Sequence, residues 1–432
     1  MESIWNKNIN RPHLEALKGD IKTDVLIIGG GIAGILCAYM LRKKGIDCIL
    51  VEAEHICGGV TQNTTAKITY QHGLEFDKLI CKFGEEKTKL YLKSQIEALR
   101  EFEKLCKNID CDYETKSSYV YLLENPWLIE KELKALEKLG VNGLYAKELD
   151  VPLKILGAVG VGNQAEFNPL KFCFSLAKEL PIYENTKVLE LKPNFAKTEN
   201  GRILAQKTIV ATHFPFINKH GLYPLKMYQH RSYVIALENA QRVDGMYVDE
   251  DLKGMSFRMY GDKLLLGGGS HRTGKTGGSW AELEEFAKKN YPSAKIVSKW
   301  ATQDCMTLDG LPYIGQYSKN TPNLYVATGF NKWGMTSSMV AAKLLTDLIL
   351  GNESEYSSVY SPSRSMLTPQ LVINVSESLK GILTPTAPRC SHLGCALKYN
   401  PQERSWDCSC HGSRFSENEK VIDNPATTDK NF

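Results

Sequence analysis

The sequence predicts an α/β protein, a doubly wound parallel sheet with antiparallel segments inserted into it, followed by a small module of different composition. Residues 24–52 run strand, glycine turn, helix and strand, and both strands are apolar throughout, as in a parallel sheet covered on both faces. Residues 323–351 repeat the strand, the glycine turn and the helix. Residues 227–270 alternate instead, which is typical of antiparallel strands. A doubly wound sheet interrupted by an inserted domain produces this succession.

The remaining elements follow from periodicity and from turn residues. Amphipathic spacing predicts helices over 74–108, 129–140 and 168–180, and apolar runs predict strands over 183–193 and 203–212. Short strands and turns are predicted over 113–165. Residues 352–368 are polar and rich in Ser, Tyr and Pro, so we expect a linker there. Beyond it, QLVINV at 370–375 and KGIL at 380–383 are expected to be strands.

The bulk composition excludes several classes of function. A chain of 432 residues allows two or three domains, since one core rarely exceeds about 250–300 residues. The net charge of +4 and the lack of a dense Lys/Arg stripe argue against a nucleic-acid partner. Neither a signal-peptide pattern nor an apolar run of about 18 residues occurs, so we expect a cytoplasmic protein without an integral membrane segment. Eight of the twelve cysteines are scattered and are expected to be reduced.

The first strand, turn and helix carry the pattern GxGxxG at Gly29, Gly31 and Gly34, and Glu52 ends the next strand. Gly29 permits a tight turn, Gly31 lets the backbone approach a pyrophosphate, and Gly34 lets the helix pack closely on the strand. The helix N-terminus then faces the diphosphate with its partial positive charge. Glu52 is placed to accept hydrogen bonds from a ribose. The motif predicts a dinucleotide and leaves FAD and NAD open.

The residues around this motif resemble the FAD-dependent D-amino-acid oxidase and glycine/sarcosine oxidase superfamily over about residues 20–350. The resemblance rests on DVLIIGGGIAGILCAYMLRKKG with VEAE, GGVTQNTTAKIT, AEFNPLKF, TIVAT, TLDGLPYIG and LYVATGFNKWGMTSS. It implies a Rossmann-type FAD-binding domain, like that of D-amino-acid oxidase and glutathione reductase, with an inserted antiparallel-sheet substrate domain. The implied oxidoreductase domain covers 1–351, with FAD-binding segments at about 20–70, 165–215 and 300–351 and substrate-domain segments at about 71–164 and 216–299.

The same resemblance implies further FAD-binding residues beyond the glycine motif. They are Gly58, Gly59, Thr61 and Thr65 in the loop around the pyrophosphate and ring, Val188 beside the adenine, and Gly329, Gly334 and Met335 along the isoalloxazine and its ribityl chain.

Enzymes of this superfamily oxidise a C–N bond by moving a hydride from carbon to the flavin, so the resemblance implies an amine or amino-acid substrate. Arg258, Lys67, Tyr233 and His271 are the candidates for lining the substrate site, and Arg258 is placed to hold a carboxylate. Cys305 lies near the position at which sarcosine oxidases bind flavin covalently, but its register differs, so we expect it to be packed. LLLGGGSH lacks the lysine that promotes reaction with oxygen in those oxidases, which weakens oxygen as the acceptor.

The tail holds CSHLGC at 390–395 and CSCHGS at 408–413. Taken alone, four cysteines and two histidines in this stretch allow a zinc site, a disulfide staple or a redox centre. The spacing C-x-H, fifteen residues and C-x-x-H differs from the CxxC and HxxxH of zinc fingers.

This spacing, with HGSRF after the second pair and DNPAT beyond it, resembles the Rieske [2Fe–2S] module. The resemblance implies Cys390, His392, Cys408 and His411 as iron ligands and a disulfide between Cys395 and Cys410. It implies an all-β Rieske domain over 369–432. That domain has few strands before its first cysteine, so we expect it to lean on the flavin domain.

Together the two resemblances imply a flavin-dependent dehydrogenase that passes single electrons from FAD to its own [2Fe–2S] cluster and then to an external electron carrier. A Rieske potential of roughly −150 to +300 mV favours that direction. Two alternatives stay open, a reductase in which the cluster feeds FAD, and a non-catalytic electron-transfer or redox-sensing protein. The carrier is expected to dock on the outer nitrogens of His392 and His411.

Overall fold

A computed structural model describes residues 2–7, 9–385 and 388–429 of the chain. The first residue and the last three residues of the predicted domains lie outside these ranges. Within them, no helix is both long and apolar enough to span a bilayer.

The strands fall into three sheets. In chain order they are β1 (Ile21–Ile28), β2 (Cys48–Val51), β3 (Lys67–Ile68), β4 (Glu114–Leu122), β5 (Leu144–Ala146), β6 (Gly157–Glu166), β7 (Ile182–Tyr183), β8 (Glu190–Lys192), β9 (Phe195–Lys197), β10 (Arg202–Val210), β11 (Met227–Glu238), β12 (Met246–Asp249), β13 (Ser256–Tyr260), β14 (Lys263–Arg272), β15 (Lys295–Thr307), β16 (Tyr313–Gln316), β17 (Leu324–Thr328), β18 (Leu397–Asn400), β19 (Ser405–Cys408), β20 (Arg414–Ser416) and β21 (Val421–Asp423).

The helices lie mostly in the first three quarters of the chain. They are α1 (Ile32–Lys43), α2 (Phe76–Phe83), α3 (Glu85–Cys106), α4 (Trp127–Lys138), α5 (Pro169–Ala177), α6 (Tyr223–Lys226), α7 (Ser279–Asn290), α8 (Gly334–Leu350), α9 (Ser357–Tyr360) and α10 (Pro369–Leu383). The helix predicted over 74–108 is two helices, because Gly84 between α2 and α3 adopts a φ of +83°.

The first sheet is the predicted doubly wound sheet. Its order is β16-β17-β10-β1-β2-β7, with β8 and β9 beside β10. The four strands β7, β2, β1 and β10 run parallel in register, and β17 is parallel to β10. Strand β2 is buried at every position and β1 over its last four residues, since α1 and α8 pack against the sheet. The fold class predicted from the sequence is confirmed.

The second sheet has nine strands in the order β15-β11-β14-β13-β12-β4-β6-β3, with β5 beside β6. Its pairs are antiparallel except β4 with β12, which runs parallel. This is the inserted sheet. Strands β6 and β15 of this sheet extend across the boundaries predicted near 164 and 299, so those boundaries fall within strands.

The predicted linker at 352–368 is packed against the flavin-type domain for part of its length. Tyr360 is fully buried. Arg364 forms a buried ion pair with Asp309, with Nε–Oδ2 and Nη2–Oδ1 distances of 2.6 and 2.7 Å, and its guanidinium lies 3.8 Å from the ring centroid of Tyr313. These contacts fix where the tail begins.

The strands predicted at 370–375 and 380–383 are wrong, because both segments belong to the single helix α10. Thr368 caps it by accepting the Leu371 N–H at 3.3 Å, and Pro369 takes the first helical position. These two residues favour the start of a helix, and the β-branched residues that follow are part of it. The tail itself is the predicted small all-β domain, a four-stranded antiparallel sheet in the order β18-β19-β20-β21.

Candidate functional site

A cavity of about 1210 Å³ lies at the carboxyl ends of the parallel strands and extends to the tail domain. Arg414, Asp423 and Asn424 of the tail line its far end. Eleven of the twelve predicted cofactor-binding residues also line it: Gly29, Gly31, Glu52, Gly58, Gly59, Thr61, Thr65, Val188, Gly329, Gly334 and Met335.

The glycine motif has the backbone geometry that a dinucleotide requires. Gly29 has a φ of +110°, and a Cβ there would lie 2.6 Å from the Ala211 carbonyl oxygen. A Cβ on Gly34 would collide with the Gly29 carbonyl, so Gly34 packs the helix rather than lining the cavity. Gly31 faces the cavity, and its nearest neighbour to an added Cβ is Thr61 Oγ1 at 3.4 Å. The N-terminus of α1, with its positive partial charge, therefore faces the cavity.

Glu52 is held at the end of β2 by backbone donors. Its Oε2 accepts the Gly30 N–H at 2.7 Å and its Oε1 accepts the Glu54 N–H at 3.0 Å. Burial raises the pKa of Glu52 above its ordinary value, although these backbone hydrogen bonds oppose the rise. Each carboxylate oxygen keeps acceptor capacity beside the cavity, as contact with ribose hydroxyls requires.

Basic and aromatic side chains line the end of the cavity next to the second sheet. Lys67 donates from Nζ to Thr65 Oγ1 at 3.1 Å, and burial together with the Arg258 guanidinium lowers the pKa of Lys67 to about 7. His72 stacks on Trp333 with ring centroids 5.0 Å apart, and burial lowers the pKa of His72 to about 3. Near neutral pH, His72 is therefore uncharged and Lys67 is poised between its two forms.

Sequence reasoning missed two charged residues in this part of the cavity, Lys332 and Asp304. Lys332 donates from Nζ to Ser270 Oγ at 3.3 Å, and burial lowers the pKa of the Lys332 ammonium. Burial raises the pKa of Asp304, with the positive charge of Lys332 opposing it. The position of Lys332 inside GFNKWGM was the available signal, since that segment was already predicted to line the cofactor.

Arg258 does not line the cavity, which argues against the predicted contact with a substrate carboxylate. Its Nη1 donates to the carbonyls of Thr65 and Ala66 at 2.7 and 2.9 Å, and its Nε lies 3.2 Å from Glu166 Oε2. The side chain is 1% exposed. Arg258 therefore fastens the loop before β3, and its Nε and Nη1 groups donate to main-chain carbonyls.

Tyr233 and His271, the other two candidates, lie next to the boundary between the two domains. The Tyr233 hydroxyl donates to Glu403 Oε1 at 2.9 Å and lies 3.0 Å from His271 Nε2. Tyr233 lines the cavity and His271 does not. Glu403 belongs to the tail, so both residues help to hold the tail domain in place.

Glu403 is the centre of a buried ionic network between the two domains. Arg231 of β11 donates from Nε to Glu403 Oε1 at 3.0 Å, and Arg414 of β20 donates from Nη2 to Glu403 Oε2 at 2.9 Å. All three side chains are less than a tenth exposed. Burial alone would raise the pKa of Glu403, but the two guanidinium groups hold it down to about 2.

Two glutamines from the inserted sheet hold the second cysteine–histidine loop. Gln229 donates from Nε2 to the carbonyls of His411 and Asn424 at 2.9 and 2.7 Å. Gln303 donates from Nε2 to the Gly412 carbonyl and to Gln229 Oε1, both at 2.8 Å. These buried contacts fix the main chain around His411 against β11 and β15.

The two loops that carry the predicted iron ligands have the same backbone hydrogen bonds. The Cys390 N–H donates to the Cys395 carbonyl at 2.8 Å, and the Cys408 N–H donates to the Ser413 carbonyl at 2.9 Å. In each loop the glycine four residues after the cysteine donates back to that cysteine's carbonyl, at 2.9 Å. The two ligand loops therefore have equivalent backbone hydrogen bonding.

The histidine rings fit a metal centre. The rings of His392 and His411 lie 5.0 Å apart, and the Nδ1 atom of each is buried without a hydrogen-bond partner among the residues that the structure describes. Because Asn218 Oδ1 accepts from His392 Nε2 at 2.9 Å, the bare nitrogen of His392 is Nδ1. Buried lone pairs of this kind are costly unless a ligand takes them, and a metal ion does so.

The cysteine sulfurs of the two loops come close together. Among the described residues, Cys395, Cys408 and Cys410 offer ligand atoms within 4.8 Å of one another, a group that holds one predicted iron ligand, Cys408, and both predicted disulfide partners. The four predicted ligands, two cysteines and two histidines, match in type the donors of a Rieske centre. Cys395 and Cys410 are free thiols here, so their disulfide stays a prediction.

The histidine side of this centre faces the first domain, contrary to the expected docking of a carrier there. His411 is buried. His392 is hydrogen-bonded to Asn218, and the centroids of the His392 and Phe214 rings lie 6.4 Å apart. Both contact residues follow β10, in the loop whose first residues, 211–213, line the cavity. One short loop therefore separates the cavity from a predicted iron ligand.

Comparison with known families agrees with this geometry. The family model described as FAD dependent oxidoreductase matches residues 24–348, and the model described as Rieske [2Fe-2S] domain matches residues 349–431. The two matches indicate FAD and a [2Fe–2S] cluster as the cofactors.

Individual proteins are similar to the whole chain or to most of it. YhfW of Bacillus subtilis (strain 168), named as a Rieske 2Fe-2S iron-sulfur protein, is 34% identical over 98% of this chain and 96% of its own length. Glycine oxidase from Geobacillus kaustophilus has a TM-score of 0.67 at 18% identity, over 80% of this chain and 99% of that one. L-proline dehydrogenase from P. horikoshii has a TM-score of 0.67 at 18% identity, over 81% and 98%. The two solved structures show the fold.

Replacing Gly31 by valine should abolish FAD binding while the chain still folds. The added side chain projects into the cavity beside Thr61, where it would occupy the path of the pyrophosphate. The measurement is flavin absorbance per polypeptide after purification, with circular dichroism to verify the fold. Gly162→Val is the matched control, because nothing lies within 4 Å of a Cβ there. Stoichiometric FAD in Gly31→Val would contradict the assignment.

Docking of the tail should weaken on acidification through Glu403. Its folded pKa of about 2 lies below the ordinary value of 4.5, so its contribution is fully present above pH 4.5 and is lost as the pH falls toward 2. That contribution is about 3 kcal/mol. Hydrogen–deuterium exchange of β19 and β20 should show it. Glu403→Gln should exchange faster at pH 7 and respond less to acid.

The matched control for this measurement is Glu417→Gln, which removes an exposed carboxylate paired with Arg404. It should follow the wild-type exchange profile, since solvent-exposed ion pairs contribute little to stability. Equal profiles for the Glu403 and Glu417 variants would show that the buried network does not hold the tail.

Proposed function

Because the chain belongs to the FAD-dependent oxidoreductase family and carries a Rieske [2Fe–2S] domain, we propose that it is an amine or amino-acid dehydrogenase with its own electron outlet. When bound, FAD accepts a hydride from the substrate carbon and the cluster carries electrons singly to an external acceptor. The loop after β10 is the observation that carries the proposal. It lines the cofactor cavity at 211–213 and contacts His392 through Phe214 and Asn218.

The substrate end of the cavity supports a C–N donor. Lys67 is the one predicted substrate-site residue whose charged group lines the cavity and is not committed to the domain interface. With a pKa of about 7, it can accept a proton from a substrate ammonium and so present the amine uncharged for oxidation. His72 and Trp333 form an uncharged stacked wall beside it. Glycine oxidase and L-proline dehydrogenase, which share the fold, are named for amino-acid donors.

The residues between the domains support transfer to the cluster within one chain. Gln229 and Gln303 hold the His411 loop by its carbonyls, and Asn218 fixes the ring of His392. These contacts hold both histidine loops next to the cavity, as transfer within one chain requires. A dehydrogenase with this outlet does not need oxygen.

Anaerobic addition of candidate amines and amino acids should bleach the flavin and then produce the EPR signal of a reduced [2Fe–2S] cluster. In Cys408→Ser, which removes a predicted iron ligand, the flavin should still bleach but no cluster signal should form. Cys81→Ser is the control, because Cys81 is exposed and far in sequence from the tail. Flavin that none of these donors bleaches, with a cluster that external reductants reduce first, would instead support the reductase.

Lys67→Met should change the pH dependence of flavin bleaching at saturating amine. In the wild type the rate should fall as the pH drops below about 7, because protonated Lys67 accepts no proton. In the variant this limb should move up to the amine's own pKa, with a rate about a hundredfold lower near pH 7. Lys343→Met, which removes an ion-paired lysine of α8 outside the cavity, is the control. An unchanged profile in Lys67→Met would contradict the role.

A further inference from the structure

Helix α10 is amphipathic with its apolar face turned to solvent. Val372, Val375, Leu379, Ile382 and Leu383 follow the spacing i, i+3, i+7, i+10 and i+11, which places them on one face of a helix. They are between 37% and 76% exposed. Single exposed apolar residues are common on protein surfaces, but a continuous stripe of this size usually marks a binding surface.

The opposite, polar face anchors this helix, so the stripe cannot turn inward. Asn374 and Gly381 are seven residues apart and buried. Asn374 Oδ1 accepts from Arg272 Nη1 at 3.1 Å, and the Gly381 carbonyl accepts the Ala396 N–H at 2.9 Å. A side chain at Gly381 would collide with Cys410 Sγ, so the backbone of the helix lies directly on the tail domain.

The exposed surface continues beyond the helix at both ends. Leu367, just before the helix, is 88% exposed, and Leu393, in the first ligand loop, is 46% exposed. Arg389 links the loop of Leu393 to the helix, because its Nη1 donates to the carbonyls of Ile382 and Gly394 at 3.1 and 3.3 Å. The five helical residues with Leu367 and Leu393 are called the α10 face below.

The charges around the α10 face are mainly positive. Lys380, whose side chain is 73% exposed, and Arg389 flank its C-terminal half. Lys275 lies 2.6 Å from Glu377, which is the single acidic residue of α10. Three cations therefore surround one carboxylate, a balance that complements an anionic partner.

The composition of the α10 face separates a lipid surface from a protein partner. It consists of Leu, Ile and Val, whereas the centres of protein–protein interfaces are enriched in aromatic residues, Met and Arg. A helix with one aliphatic face and flanking Lys or Arg side chains lies in the plane of a bilayer interface. We propose that the α10 face seats this protein on the surface of an anionic lipid bilayer. The proposal goes beyond the proposed function and does not depend on it.

The test is co-sedimentation of the full-length holoprotein with vesicles of phosphatidylcholine and phosphatidylglycerol. The wild type should bind, more weakly at high salt and more weakly to phosphatidylcholine alone. Val372→Asn/Leu379→Asn/Leu383→Asn should lose affinity on the order of a hundredfold, because three aliphatic side chains no longer enter the bilayer. Lys380→Glu should weaken binding chiefly at low salt.

The matched control is Leu123→Asn/Leu144→Asn/Leu156→Asn, which removes three leucines that are 39% to 47% exposed elsewhere on the protein. It should bind vesicles like the wild type, and both triple variants should keep full flavin absorbance and cluster EPR signal. Failure of the wild type to bind anionic vesicles, or equal binding by both triple variants, would overturn the proposal. So would a wild-type dimer that the α10 variant converts to a monomer, since a second copy would then cover this face.

Discussion

The buried carboxylate of Glu403 is the interaction on which the two-domain structure depends. Its partners come from both sides, Arg231 from the inserted sheet and Arg414 from the tail. Removing one member of such a network leaves an uncompensated buried charge, which costs about 3–5 kcal/mol. A tail of roughly 60 residues with four short strands is marginal alone. Folding of the tail and its docking on the first domain are therefore coupled.

This coupling determines how the two cofactor sites relate. The glutamine pair on β11 and β15 and Asn218 after β10 fix the histidine loops at one edge of the cavity. In the proposed function, these contacts hold the histidine loops beside the first domain, and electrons reach the cluster through that domain. Helix α10 also contacts the first domain, through Asn374 and Arg272, while its aliphatic face is exposed to solvent.

Much of the fold and of the cofactor site could be predicted from the sequence, because their determinants are local. The glycines of the first motif and the cysteine–histidine pairs are recognised by their spacing within one turn or loop. The family resemblance added further cofactor-binding residues, such as Val188 and Met335, to the prediction. Predicting the substrate-site residues would have required knowing towards which face of the inserted sheet their side chains point. Arg258 and Tyr233 point to protein partners 193 and 170 residues away, contacts that no local pattern reveals.

The prediction for the α10 segment failed for a different reason. Its run of Val, Ile and Leu has the composition of a strand, but an N-terminal Thr-Pro cap and a helical spacing of the apolar residues decide the structure. The helical spacing of these apolar residues is visible in the sequence. It was not used, because the apolar residues of a helix are normally recognised as a face that packs on the core, and this face is exposed to solvent. Composition outweighed periodicity in the prediction, and the structure shows the reverse order of importance.

The central claim, that flavin and cluster form one electron-transfer unit within a single chain, can be measured without knowing the substrate. A laser flash with an external photoreductant reduces the FAD, and the absorbance of flavin and cluster is followed anaerobically at several protein concentrations. The account predicts a first-order transfer from flavin to cluster whose rate does not change with protein concentration. Transfer that is second order in protein, or a reduced flavin that never reduces the cluster, would contradict it.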